Sequence, residues 1–304
     1  MLPVIDKGGK ILSTIILTDS CCDLTLEYIN ENKDILDVLG MPINIDGTEY
    51  IDDLGINLPH DKFYEKIRAG IVPSTAQINT YKFTEKFQEF YDKDISIIYI
   101  GFSSGLSGTF NNSFLARNEF VEEHSDADIT IIDSLSASIG QGVLVMSAVE
   151  MLREGKSKEE IIKWIEHNKM KTNHWFAVDD LNFLKKGGRI SSVTAVVGTA
   201  LNVKPILTVN NEGKLKTYTN VRGRKKSIKF LFDKFREHIQ SPEKTTVVIG
   251  HGNCIEDVTT LRTLISEEFN LKRIVVSELS ATIASHVGPN MLAVAFLGDV
   301  RENI

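Results

Sequence analysis

The sequence predicts an α/β fold of two α/β domains, the first with a mainly parallel sheet and the second with a mixed sheet. Three observations lead there. Short runs rich in β-branched residues alternate with stretches of helical spacing through the first half. Three of the expected strands, at 15–18, 95–100 and 129–132, end in small polar residues, which a parallel sheet would place on one edge. In the second half, Asn210 to Gly213 reads as a turn between two strands, and such a hairpin makes a sheet mixed. A chain of 304 residues is long enough for about two cores. The expected division is an extension over 1–14, a first domain over 15–165 and a second over 166–304.

In order, 15–18 is the first strand and 24–30 a short helix. Residues 38–45 are extended, with Asp46 and Gly47 as a turn. Helices are expected over 61–68 and 80–91, the second placing Phe83, Phe87 and Phe90 on one core face. Between them, 73–78 reads as a polar turn. After the strand at 95–100 comes a loop of Gly101, Gly105 and Gly108 interleaved with Ser103, Ser104, Ser107 and Thr109, then a helix over 110–120. The strand at 129–132 is followed by a largely apolar helix over 139–153. Ser157 and Glu160 form a capping box for a helix reaching about 168. Strands follow at 172–178, 204–209, 215–221, 245–249, 273–277 and 291–297. Helices are expected over 190–200, 225–240 and 255–269, with Ile228, Leu231, Phe232 and Phe235 inward.

Composition excludes several classes. Hydrophobic content of 42% and charged content of 25% are those of a globular protein, and a net charge of −7 argues against a nucleic-acid binder. No apolar run could span a bilayer and the leader lacks a signal-peptide core. Of three cysteines, two are adjacent, which fits a reducing cytoplasm rather than a disulfide framework. Seven histidines form no metal-binding spacing, so no metal is expected. Walker and dinucleotide fingerprints are absent.

The loop after 100 is the focus for chemistry. Glycines allow N–H groups to approach a ligand and a helix N-terminus favours an anion. Ser103, Ser104 and Gly105 are therefore expected to bind a carboxylate or phosphate. The same segment fits G-x-S-x-G, the nucleophile elbow, with Ser103 as nucleophile, His286 as base and Asp180 or Asp257 as acid. However, Leu106 to Thr109 delays the helix, unlike an elbow. His286 lies among turn formers. Arg189 follows two glycines in a basic turn, and Arg222, Arg224, Lys225 and Lys226 make a second basic run.

Taken in order, TDSCCD at 18–23, STAQ at 74–77, SSGLSGT at 103–109, DSLSAS at 133–138, KGGRI at 186–190, VRGRKK at 221–226 and HVGP at 286–289 resemble the DegV family of bacterial lipid-binding proteins. The resemblance runs from Ile15 to Asp299. It implies a long-chain fatty acid held in a tunnel between the two domains. It also implies that the chain is no enzyme itself but the substrate-binding subunit of a fatty acid kinase. The partner kinase subunit would use ATP and Mg²⁺ to make an acyl phosphate, so no cofactor is expected in this chain. By position, Thr75, Ser104 and His286 would form the carboxylate network. Arg189 and Arg222 would serve the kinase encounter from outside the tunnel. Ala76 and Ile78 depart from the family, which has serine and proline there. Val193, Ala195, Val196, Val197, Ala200 and Leu201 are small apolar residues suited to a tunnel wall. The alternatives are a serine hydrolase acting on lipid esters through Ser103, and a lipid carrier or sensor with no kinase partner.

Overall fold

The computed structural model describes residues 13–179, 181–190 and 202–302. The expected helix over 190–200, the proposed tunnel residues from Val193 to Leu201, and Asp180 lie outside these, Ile190 excepted.

The first domain contains β1 (Ser13–Asp19), α1 (Leu26–Glu31), β2 (Leu36–Leu39), β3 (Pro42–Ile45), β4 (Thr48–Ile51), α2 (His60–Arg68) and β5 (Ser74–Thr75). It continues with α3 (Thr80–Tyr91), β6 (Ile95–Gly101), α4 (Thr109–Glu123), β7 (Ile129–Asp133) and α5 (Ile139–Arg153). Four strands form a sheet in the order β2-β1-β6-β7, with every pairing parallel. Ile15, Ile16, Leu17, Ile97, Ile98 and Ile100 are all buried, as strands covered on both faces require. The polar ends of β1, β6 and β7 share one edge.

Two local expectations need correction. The extended run over 38–45 is two strands in two sheets. β2 pairs with β1, whereas β3 joins β4 and β5 in an antiparallel sheet of order β4-β3-β5. Gly40 makes the change of direction, because a Cβ there would lie 2.3 Å from Ile51 and 2.7 Å from the Asp52 carbonyl. The turn over 73–78 contains β5, whose Ser74 and Thr75 pair with Asn44 and Ile43. A two-residue strand carries no alternation that sequence could display.

Then come α6 (Lys158–Asn168), β8 (Thr172–Ala177), α7 (Asn182–Lys186), β9 (Val203–Val209), β10 (Leu215–Arg222) and α8 (Arg224–His238). The chain finishes with β11 (Thr246–His251), α9 (Ile255–Glu268), β12 (Arg273–Glu278), α10 (Ala281–Val287) and β13 (Leu292–Leu297). Both arms of the expected capping box of α6 are present. Residue 165, the expected division, falls inside this helix. The second sheet has the order β10-β9-β8-β13-β11-β12 and is mixed, with β11 and β12 parallel and the other pairings antiparallel. α7 and α10 occupy segments that the sequence presented as turns.

α5 explains how the two sheets are joined. It packs on β1 and β6 of the first sheet and on β8, β11 and β13 of the second. Ten of its residues, from Ile139 to Val149, are buried, as a largely apolar helix between two layers requires. The outer face of the second sheet buries Trp175, Ile206, Val247 and Phe296 against Ile228, Leu231, Phe235, Val258 and Leu261 of α8 and α9.

Candidate functional site: a cavity between the domains

A narrow cleft lies between the two domains. Met41, Phe102, Leu106 and Ile139 line it from one side, and Phe176, Leu184, Val209 and Val287 from the other. Its wall is mainly apolar, as the walls of small-molecule sites are.

One end is polar. Thr75 Oγ1 and His286 Nε2 are 2.9 Å apart. β5 fixes Thr75 through its pairing with Ile43, and α10 carries His286. Burial, and secondarily the positive charge of Arg189, pushes the imidazole down to about 4. His286 is therefore neutral at physiological pH and keeps one ring N–H to donate. Its Nδ1 has no hydrogen-bond partner among the described residues. The turn after α7 holds the ring from that side: a Cβ on Gly187 would lie 2.2 Å from Nδ1.

Arg189 belongs to the same end. Its Nε donates to the Leu106 carbonyl at 3.2 Å and its Nη1 to the Gly187 carbonyl at 2.5 Å. It lines the cavity, which corrects the expectation that it stands outside. Thr75, Arg189 and His286 also line an outer depression with Ser74, Lys186 and Ser285. The three residues thus stand between the apolar chamber and a mixed depression that carries Lys186 as well. That arrangement suits an amphiphile with an anionic end.

The glycine-rich loop does something other than expected. The Ser103 N–H donates to the Ser136 carbonyl, that of Ser104 to Asp133, and that of Gly105 to Ser103 Oγ. The N–H groups of Leu106 and Ser107 both donate to the Ser103 carbonyl. These groups are engaged within the protein, so the loop offers no ready anion nest. Ser103 is fully buried and its hydroxyl donates to the Gly213 carbonyl at 2.8 Å. A Cβ on Gly105 would lie 2.6 Å from the Glu212 carbonyl, and one on Gly213 would lie 2.0 Å from Ser103 Oγ. The glycines let the β9–β10 turn of the second domain dock on the loop. Ser103, Ser104 and Gly105 do not line the cavity, and the Ser104 side chain is exposed.

Ser107 lines the cavity instead, with its Oγ 3.0 Å from Thr109 Oγ1. The sequence holds three serines in that loop, and only the docking of the hairpin shows which faces inward. Arg222 is exposed at the end of β10 and lines neither chamber. The hydrolase constellation is not assembled, because His286 bonds Thr75, Ser103 bonds Gly213, and Asp257 pairs with Arg224 at 2.8 Å. Elsewhere, Glu237, His238 and Glu302 bring possible metal ligands together, but Lys234 Nζ lies 2.9 and 3.3 Å from the two carboxylates and supplies the charge there.

Sequence reasoning also missed three buried carboxylates near the cavity, Asp19, Asp23 and Asp52. Asp19 takes hydrogen bonds from Tyr99, the Phe102 N–H, the Cys21 N–H and Gln141, yet burial raises it above the usual carboxylate range. Among the described residues no helix is long and apolar enough to cross a membrane.

Comparison with known proteins agrees with this architecture. A family model described as an uncharacterised protein, DegV family, matches residues 13–299. A DegV domain-containing protein of Clostridium perfringens is 46% identical over 289 residues, covering 95% of this chain and 98% of the relative. The solved structure of a DegV family protein from Thermus thermophilus, titled for its fatty acid binding, superposes with a TM-score of 0.84 at 29% identity. That match covers 95% of this chain and 100% of the other. DegV of Bacillus subtilis, titled a fatty acid binding protein, superposes with a TM-score of 0.82 at 25% identity, again over 95% and 100%. The match runs through both sheets and the cleft between them, and the chain belongs to the DegV family.

Proposed function

We propose that the cleft binds a long-chain fatty acid, with its carboxylate at Thr75, Ser107 and His286 and its acyl chain in the apolar chamber. The observation that carries this reading is the Thr75–His286 pair at a polar end of a mainly apolar cavity, beside Arg189. Hydroxyl and imidazole groups hold a carboxylate by hydrogen bonds and need no nucleophile. Burying an acyl chain contributes about 0.8 kcal/mol per CH₂, so a 16-carbon chain gains on the order of 10 kcal/mol before ordering costs. The fatty acid binding named for the Thermus and Bacillus neighbours supports the same ligand class. Mass spectrometry of lipid extracted from the purified protein tests it. The expected result is a fatty acid at near-stoichiometric level, and delipidated protein that takes up none overturns the reading.

The second part of the proposal is presentation of the bound carboxylate to a separate kinase subunit, which brings ATP and Mg²⁺. What supports it is the outer depression, where Lys186 and Arg189 give a positive approach to the carboxylate end. This chain then binds and orients, while the phosphoryl transfer belongs to the partner. A reconstituted assay for acyl phosphate decides between presentation and a carrier or sensor without a kinase.

A further inference from the structure

We propose that Asp23 and Asp52 are positioning residues for the carboxylate-binding pair, holding α10 so that His286 meets Thr75. The proposal rests on the fatty-acid reading of the cavity.

Asp23 is 1% exposed and caps the short turn after β1 in a left-handed conformation, φ 49°. Its carboxylate accepts the Ser280 N–H at 2.8 Å and the Ser138 hydroxyl, and its carbonyl accepts the Ser277 hydroxyl. Asp52 is 4% exposed and accepts the Thr282 N–H at 2.8 Å and the Thr282 hydroxyl at 2.5 Å. Ser280 is the N-cap of α10 and Thr282 lies in its first turn. Two carboxylates from the first domain therefore grip the start of a helix from the second.

The grip reaches His286 by helix geometry. Thr282 and His286 are four residues apart and stand on one helix face, and both line the cavity. α10 has seven residues, six of them buried, and the bonds to Ser280 and Thr282 fix how it starts. At the other end Gly288 has φ 75°, and a Cβ there would lie 2.5 Å from Phe183.

Asp52 and Thr75 also share a support. Asp52 directly follows β4, its N–H donates to the Met41 carbonyl at 2.8 Å, and Thr75 lies on β5 of the same small sheet. That sheet supplies one member of the pair and the carboxylate that fixes the helix carrying the other. A carboxylate suits this task because it accepts two donors from Thr282 at once.

The test compares wild type, Asp52→Ala, Asp52→Asn and Asp23→Asn for affinity toward a 16-carbon fatty acid and its methyl ester. Melting temperature and the ¹⁵N resonances of the His286 ring are followed in parallel. Asp52→Ala is expected to lose about tenfold in affinity for the acid, the scale of one hydrogen bond to a charged group, with ester affinity unchanged. Its His286 resonances should move. Asn should restore part of the loss, because its amide oxygen still accepts the Thr282 N–H. Unchanged acid preference and His286 resonances in folded Asp52→Ala overturn the proposal, as does parallel loss of acid and ester binding. If Asp52→Ala does not fold, the isosteric Asn variants decide by the same readouts. A wild-type protein without preference for the acid overturns the underlying carboxylate site instead.

Discussion

Thr75 Oγ1 and His286 Nε2 lie 2.9 Å apart although 211 residues separate them in the chain. Each comes from a short element, the two-residue β5 and the seven-residue α10, and each element belongs to a different domain. The polar end of the cavity therefore exists only when the domains are docked.

Removing the hydroxyl groups that face this end should weaken carboxylate binding selectively. Thr75→Ala and Ser107→Ala are each expected to cost about 1.5–3 kcal/mol in fatty-acid affinity, the scale of a hydrogen bond to a charged group. Ser104→Ala should change it little, since that side chain is exposed and outside the cavity. Calorimetric titration of delipidated protein measures all three. Equal losses for Ser104→Ala and Ser107→Ala would return the network to the serine expected from sequence.

Gly187→Ala tests the fit behind the histidine. The added Cβ would lie 2.2 Å from His286 Nδ1, so the ring must move or the α7 turn must shift. Overpacking of this kind costs about 1–3 kcal/mol. Lower melting temperature together with reduced fatty-acid affinity is expected. Unchanged affinity at wild-type stability would show that the ring has freedom the packing denies.

The pH dependence of stability has a defined sign. Burial holds Asp23 up to about 7, far above its usual 3.8, despite hydrogen bonds from Ser138 and Ser280. Between those values the folded state binds more protons than the unfolded one, so this group's stabilisation falls as pH rises toward 7. Asp19 and Asp52 are displaced in the same direction by burial. His286, held down to about 4, acts oppositely, its stabilisation falling as pH drops below its unfolded value of 6.5. Asp23→Asn should flatten the loss of melting temperature between about pH 4 and pH 7. An identical pH profile in the variant would remove Asp23 from this account.

Arg222 separates binding from presentation more cleanly than Arg189 does. It is exposed at the end of β10 and lines neither chamber, so Arg222→Ala should leave lipid content and melting temperature nearly unchanged. If it guides the kinase, acyl phosphate formation should fall sharply, with lysine rescuing only part because it lacks the planar fork. Arg189→Ala should instead affect binding as well, since Arg189 flanks His286 and bonds the Leu106 carbonyl. Normal turnover with Arg222→Ala would remove it from the encounter.

Spacing and capping in the sequence carried the fold class and most of the longer elements in order. Hydrophobic period made Phe83, Phe87 and Phe90 one buried face of α3, and the Ser157–Glu160 capping box marked the start of α6. The largely apolar character of 139–153 marked a helix, and the structure buries it between the two sheets. These are local properties, written in spacing and capping, and the chain carries them wherever it goes. Tertiary structure alone decided which serine of SSGLSGT faces the cavity, that the glycines serve a docked hairpin, and that Arg189 joins His286. It alone revealed that Asp23 and Asp52 grip α10. Short elements such as β5 and α10 show no period, and their contacts run between residues far apart in sequence. Their positions follow from the burial of polar groups that find partners only after the two domains have met.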